Sequence, residues 1–189
     1  MGEGRLFVIS GPSGVGKDAV IDRVVAADPR ITRSVSYTTR KPRRNEREGV
    51  DYSFVTRDDF ERLLQQGEFL EHASYDGNLY GTSARRVRDL ENAGNDVILK
   101  IEVKGAEQVR SKLPGATFIF LEPPSMQELI RRTTTRDTES AEDRAARQMI
   151  AETEMKYAAH YDHVVVNDDL DRAVAEVLAI IKGVPEARS

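Results

Sequence analysis

A glycine-rich segment near the N-terminus carries the residue pattern with the clearest chemistry. Residues 11–17 (GPSGVGK) follow the pattern G-x-x-x-x-G-K, and they stand between an apolar strand-like run and a helix-like run. Glycines at this spacing let backbone N–H groups turn toward phosphate oxygens, the N-terminus of the following helix attracts the anion, and the lysine reaches the outer phosphates. The sequence therefore predicts a phosphate-binding loop, the P-loop, made by Gly11, Pro12, Ser13, Gly14, Val15, Gly16 and Lys17.

The residue after the loop departs from the pattern. Asp18 stands where the motif has Ser or Thr, whose hydroxyl coordinates the Mg²⁺ that bridges the terminal phosphates. Two interpretations stay open. Asp18 is either a helix-start aspartate that suits the helix dipole, or a carboxylate that holds Mg²⁺ directly or through its waters. Asp18 is thus a candidate metal ligand, with Mg²⁺ as the expected cofactor.

A second group of residues suits a phosphate acceptor. Arg40, Arg43 and Tyr52 follow one another within a short basic stretch. Arginine binds phosphate oxygens in a bidentate manner, so two arginines and a tyrosine on one loop system would clamp a terminal phosphate. The alternative is an ordinary solvated basic loop.

The same stretch resembles a family signature. Residues 36–43 (SYTTRKPR) and 49–54 (GVDYSF) resemble the S-x-T-T-R-x-P-R and G-x-D-Y-x-F segments of guanylate kinases. Further matches follow in the family's order at residues 69–71, 77–82, 103–106, 123–125 and 166–168, so the resemblance covers nearly the whole chain. It implies a P-loop enzyme of purine nucleotide metabolism that transfers the terminal phosphoryl group of ATP to GMP, and to dGMP, giving ADP and GDP.

The resemblance also assigns roles to single residues. It implies that the GMP phosphate is bound by Arg40, Arg43, Tyr52 and Tyr80, and that guanine is recognised by Ser36, Glu71, Thr82 and Glu102. It implies that the transferred group is neutralised by Lys17 and by the lid arginines Arg132, Arg136 and Arg147. It places Asn167 near the donor base, with the P-loop and Asp18 around the ATP phosphates. A carboxylate such as Glu71 can accept both N1–H and N2–H of guanine, a donor pair that adenine lacks.

A second departure lies on the strand before residues 103–106. The family carries two acidic residues there, separated by one position, whereas this chain has Lys100 and Glu102. We expect a coupled exchange in which Asp18 adds a carboxylate and Lys100 replaces one, which requires the two side chains to lie within reach of each other. The alternative is a lysine that simply extends out of the crevice.

Two other functions deserve a test. Ribose 1,5-bisphosphate phosphokinases resemble guanylate kinases and can carry Asp after the P-loop lysine, as Asp18 does here. Non-catalytic guanylate-kinase-like modules that bind proteins typically have a degraded P-loop, whereas Gly11, Gly16 and Lys17 are all present in this chain.

The elements that must position these residues alternate along the chain. Apolar strand-like runs at residues 5–10, 32–37, 96–102, 116–121 and 163–166 alternate with helix-like runs, the last of them over residues 170–182. This alternation predicts an α/β fold, a P-loop NTPase-like parallel sheet with helices on both faces. Thr56 and Ser125, each followed three residues later by an acidic residue, are predicted helix N-caps.

The whole chain, residues 1–189, is expected to form a single domain. Its core covers about 1–35, 94–124 and 160–189, a GMP-binding insertion about 36–93, and a helical lid about 125–159.

Composition restricts the partners. The formal net charge of −4 argues against a general nucleic-acid binder, and no apolar run has the length of a membrane span. The chain has no cysteine, which excludes disulfides and thiolate metal sites, and its N-terminus shows no secretory signal. We therefore expect a cytoplasmic protein that binds neither nucleic acid nor a membrane. The resemblance to guanylate kinases implies ATP and GMP as its partners, and we expect a monomer or homodimer.

Overall fold

The structure, a computed structural model, describes residues 4–75, 77–133 and 141–183, and in the last range the side chains from residue 148 onward. The strands are β1 Leu6–Ser10, β2 Ile31–Arg33, β3 Tyr37–Thr38, β4 Ser53–Phe54, β5 Phe69–Tyr75, β6 Asn78–Ser83, β7 Asp96–Lys100, β8 Thr117–Glu122 and β9 His163–Val166. The helices are α1 Lys17–Ala27, α2 Arg57–Gln65, α3 Ala84–Asn92, α4 Val103–Lys112, α5 Met126–Thr133, α6 Ala141–Met155 and α7 Leu170–Lys182, with a 3₁₀ turn at Lys156–His160.

Five strands form the main sheet, in the order β2-β7-β1-β8-β9, and all its pairings are parallel. Strand β1 lies at the centre and is buried on both faces. Its residues Leu6 and Val8 pack in a cluster that includes residues of α3 and α4, while Phe7 and Ile9 pack in a cluster that includes residues of α1 and α7. The predicted α/β fold, with helices on both faces of a parallel sheet, is confirmed.

A second sheet of four short strands, in the order β4-β3-β6-β5, stands apart from the first. The prediction of one strand over residues 32–37 was wrong, because the chain leaves the main sheet within it. The backbone N–H of Ser34 still donates to the Ile98 carbonyl at 3.0 Å, but Tyr37 already pairs with Gly81 of β6. Strand β6 was not predicted either.

Gly81 makes β6 hard to recognise in the sequence, yet the packing of β6 requires a glycine at this position. Glycine is a poor strand former. At this position, however, a Cβ atom would lie 2.9 Å from the Phe69 ring and 3.0 Å from the Phe60 ring. These two rings are buried and stack at 4.5 Å between centroids.

The division into core, insertion and lid stays a prediction. The second sheet ends at Ser83, and the next helix, α3, packs through Val87 and Leu90 against the main-sheet cluster. In the predicted lid range lie α5, α6 and the 3₁₀ turn. Within the described residues, no helix combines the length and the apolar character that crossing a bilayer requires.

The N-cap of α2 offers a test of local stability. The Thr56 hydroxyl accepts from the Asp59 backbone N–H at 3.1 Å and donates to the Asp59 carboxylate at 2.6 Å, as the sequence predicted. We expect Thr56→Ala to lower the free energy of unfolding by about 1 kcal/mol, since the helix loses its cap. Urea denaturation measures this. Thr56→Ser, which keeps the hydroxyl, is the control, and an equal loss in both variants would show that the methyl group matters instead.

Candidate active site

The P-loop leaves the buried strand β1 and ends in the first turn of α1. Gly16, with φ of 98°, adopts a left-handed conformation just before that helix, and its missing side chain leaves room for Asn167. The Lys17 ammonium donates to the carbonyls of Gly11 at 2.5 Å and Pro12 at 3.1 Å, so it lies folded along the loop. Burial lowers the pKa of Lys17, while the nearby Glu102 and Glu154 carboxylates oppose that effect.

A cleft of about 570 Å³ joins the P-loop to most of the predicted acceptor residues. The members of the predicted site that line it are Ser13, Gly14, Gly16, Lys17, Asp18, Ser36, Arg43, Tyr52, Glu71, Tyr80 and Glu102. The remaining P-loop residues, Gly11, Pro12 and Val15, are buried. The sequence prediction missed some lining residues, such as Ala73 and Tyr75 of β5, which no motif singled out.

The predicted phosphate clamp is held together by its own contacts. The Arg40 guanidinium donates to the Glu46 carboxylate at 2.7 Å and stands over the Tyr52 ring at 5.4 Å. The rings of Tyr52 and Tyr80 meet edge to face at 6.0 Å. The hydrogen bond that Arg40 donates to Glu46 raises the pKa of Arg40 and lowers the pKa of Glu46. Together with Arg43, these side chains line a smaller pocket of about 230 Å³.

A buried carboxylate lies at the acceptor end of the cleft. Glu71 on β5 is only 4% exposed, and its Oε1 accepts from the Thr82 hydroxyl at 2.6 Å. The Thr82 oxygen lies in turn 3.4 Å from the hydroxyl of Ser36, so three of the predicted guanine-reading residues form one chain of polar contacts. Burial raises the pKa of Glu71, although the Thr82 hydrogen bond opposes the rise. A ligand that offers two N–H donors here would stabilise the ionised form.

Asp18 and Lys100, the two residues that depart from the family pattern, contact each other. The Lys100 ammonium lies 2.6 Å from Oδ1 of Asp18, so the distance that the coupled exchange requires is met. Arg33, which the sequence analysis did not single out, places its guanidinium 3.4 Å from the same oxygen. Burial acts to raise the pKa of Asp18, but attraction and a hydrogen bond from Lys100, with help from Arg33 and Lys17, outweigh it, and the pKa lies below its usual range.

This arrangement fits poorly with Mg²⁺ bound directly to Asp18. A metal ion on that carboxylate would have to compete with two cations that already share one of its oxygens. Moreover, the described residues hold no cluster of three or more metal-ligating side chains. The role of Asp18 as a metal ligand stays a prediction, and its described contacts are those of an ion-pair partner.

Two other predicted residues lie behind the P-loop rather than in the cleft. The buried Asn167 amide donates to the Val15 carbonyl at 2.7 Å, which ties the loop to the end of β9. The Arg132 guanidinium donates to the Asn167 carbonyl at 3.0 Å and to the Glu128 carboxylate at 2.8 Å. The proposed phosphate contact of Arg132 and base contact of Asn167 stay predictions. Arg136, and the side chain of Arg147, lie outside the described residues.

A carboxylate of α6 reaches the site without any sequence signal. Glu154 lies close enough to Glu102 and to the Ser13 backbone N–H of the P-loop for both to affect its pKa. Partial burial, together with repulsion from Glu102, raises the pKa of Glu154 to about 7, although Lys17 opposes the rise. Glu154 sits within a polar helix among other charged residues, so neither its spacing nor its type distinguishes it in the sequence.

Replacing Glu154 should change how stability depends on pH. The folded protein favours protonated Glu154, so its ionisation costs stability progressively as the pH rises from about 4.5 to about 7. We expect Glu154→Gln to gain about 1 kcal/mol over the natural chain across that interval, a figure reduced for solvent screening, with little difference below it. Urea unfolding at several pH values measures this. Glu152→Gln, at an exposed position of the same helix, is the control, and a gain that does not vary with pH would contradict the expectation.

Known proteins resemble this chain in sequence and in structure. The family model described as guanylate kinase matches residues 3–183. The chain is 48% identical to a guanylate kinase of Alkalilimnicola ehrlichii, over 94% of this chain and 87% of that protein. It is 47% identical to a guanylate kinase of Frankia casuarinae, over 94% and 97% respectively. The crystal structure of guanylate kinase from Anaplasma phagocytophilum superposes with a TM-score of 0.78 at 32% identity, covering 96% of this chain and 86% of that one. The chain therefore belongs to the guanylate kinase family.

Proposed function

We propose that the protein transfers the terminal phosphoryl group of ATP to GMP, and to dGMP, giving ADP and GDP. The observation that carries this proposal is the single cleft, which joins the P-loop to a buried carboxylate and to part of an arginine–tyrosine clamp. A P-loop by itself handles phosphates of many nucleotides. The substrate follows from Glu71, whose buried oxygens suit the two adjacent N–H donors of guanine.

On the donor side, the chain's own groups supply positioning and charge. The N-terminus of α1 and the backbone N–H groups of the P-loop suit the ATP phosphates, and Lys17 can move from the loop carbonyls to their oxygens. The acceptor is already an anionic phosphate oxygen, so alignment and charge neutralisation supply most of the rate acceleration. The lid arginines Arg132, Arg136 and Arg147 are proposed to add charge when the lid closes, which also excludes water.

Membership of the family implies an ATP-dependent kinase that is generally Mg²⁺-dependent. Since Asp18 is engaged by Lys100 and Arg33, we propose no direct bond from its carboxylate to the metal. In this proposal the protein acts in the cytoplasm as a monomer or homodimer, with ATP and GMP as its ligands.

Acceptor profiling tests the function. The purified chain, with ATP and Mg²⁺, is assayed for ADP formation with GMP, dGMP, AMP and ribose 1,5-bisphosphate. We expect kcat/KM for GMP to exceed that for AMP by about 10³-fold or more, because adenine would leave the buried Glu71 poorly paired. Preference for the sugar bisphosphate would overturn the proposal in favour of the phosphokinase alternative. No turnover with any acceptor would favour a non-catalytic binding module.

A glycine next to the carboxylate tests the site more sharply. Gly105 of α4 is buried against Glu71, and a Cβ atom there would lie 2.8 Å from Oε2. We expect Gly105→Ala to raise KM for GMP roughly 10-fold or more, because the carboxylate must shift from its position, with KM for ATP nearly unchanged. Steady-state kinetics measure both constants. Gly115→Ala is the matched control, since a Cβ there meets open space, and equal constants in the two variants would contradict the role of Glu71.

A further inference from the structure

Lys100 occupies the boundary between the donor and acceptor sides. Its side chain lines both the 570 Å³ cleft, which the P-loop forms, and the 230 Å³ pocket, which the phosphate clamp forms. Its ammonium stands 5.8 Å from the centre of the Tyr52 ring of the clamp and 2.6 Å from Asp18 at the end of the P-loop. A phosphoryl group that passes from one side to the other must cross this region.

The main sheet fixes the backbone position of Lys100. It is the last residue of β7, and in the parallel pairing of β7 with β1 it lies opposite Ile9, two residues before the P-loop starts. Side chains at the carboxyl ends of parallel strands face the ligand crevice. The lysine therefore enters the crevice from a rigid strand rather than from a flexible loop.

The ion pair restrains the ammonium without using up its donors. The Lys100 side chain is 18% exposed, whereas that of Asp18 is 64% exposed, so the aspartate stands on the solvent side of the pair. An ammonium has three N–H donors, and the hydrogen bond to Asp18 uses one of them. Among the described residues no other acceptor is hydrogen-bonded to this ammonium, so its two remaining donors can serve the oxygens of a phosphate. The charge of Lys100 is also felt at Lys17, whose pKa it helps to lower.

We propose that Lys100 is a catalytic residue whose ammonium contacts the phosphoryl group in transfer, and that Asp18 holds it there. This deepens the proposed function and rests on it. In the step, an oxygen of the GMP phosphate forms a bond to the γ-phosphorus of ATP, and the bond from that phosphorus to the β–γ bridging oxygen breaks. ADP leaves with the electron pair, GDP forms, and no proton is exchanged. Lys100 stabilises the charge on the transferred oxygens together with Lys17.

A purely neutralising role is the competing explanation. If Lys100 only cancelled the charge of Asp18, removing both charges together would leave the site as competent as before. If Lys100 contacts the phosphoryl group, removing both charges leaves the transferred oxygens without their donor. The single variant Lys100→Met and the double variant Asp18→Asn/Lys100→Met therefore separate the two explanations.

Kinetics provide the first test. We expect Lys100→Met to lower kcat roughly 100-fold with KM for ATP and GMP changed less than about threefold, because the lost contact exists mainly in the transition state. The double variant should be no faster than the single one. Lys182→Met, which removes an exposed lysine of α7, is the control with unchanged kcat. A kcat for Lys100→Met like that of the control, or recovery in the double variant, would overturn the proposal.

Binding provides a test that does not depend on turnover. Isothermal titration compares GMP with a bisubstrate analogue in which five phosphates join adenosine to guanosine. We expect Lys100→Met to weaken the analogue about 10-fold or more while GMP binds as before, which also shows that the variant is folded. Equal loss for both ligands would mean a general defect of the site and overturn the assignment. If the natural chain does not phosphorylate GMP at all, the proposed function itself fails, and that outcome is separate from either result.

Discussion

Strand β1 must be buried on both faces, and this requirement organises the site. Leu6 and Val8 pack against one helical layer, and Phe7 and Ile9 pack against the other. Strands β7 and β8 pair with β1 in parallel, one on each side. All three strands therefore end at the same edge of the sheet. The strands themselves are buried, so the polar residues follow them at this edge. The P-loop, Lys100 and Glu102 therefore lie close together there.

The acceptor half is organised by a different balance. A carboxylate as buried as Glu71 is costly to ionise, and no salt bridge offsets that cost among the described contacts of Glu71. Instead, hydroxyl groups and the close approach of Gly105 define the position of its oxygens. The clamp is the opposite case, since Arg40 is paired with Glu46 and supported by aromatic rings. The Glu71 end of the site thus favours a ligand that brings its own hydrogen-bond donors. The clamp attracts an anion because it has more cations than carboxylates.

The sequence was informative where a motif carries its own geometry. Residues 11–17 need only a strand before and a helix after, and the α/β alternation supplied both. Long-range pairing was harder to predict. Arg33 ends a short strand with no motif around it, and Glu154 is one acid among many on a polar helix. Tyr37 was assigned to the wrong strand because strand propensity does not reveal which of two sheets a residue joins. The pairing of Asp18 with Lys100 could be predicted because both positions broke one pattern in compensating directions.

Asn167 has a consequence for how the protein is made. Its amide donates to the Val15 carbonyl, and its own carbonyl accepts from the Arg132 guanidinium, so the end of β9 joins the first loop of the chain to helix α5. A ribosome adds residues from the N-terminus, so the P-loop is synthesised long before Asn167. The nascent chain therefore carries the P-loop without its contact to Asn167 through most of its synthesis, and that contact can form only once β9 has been made.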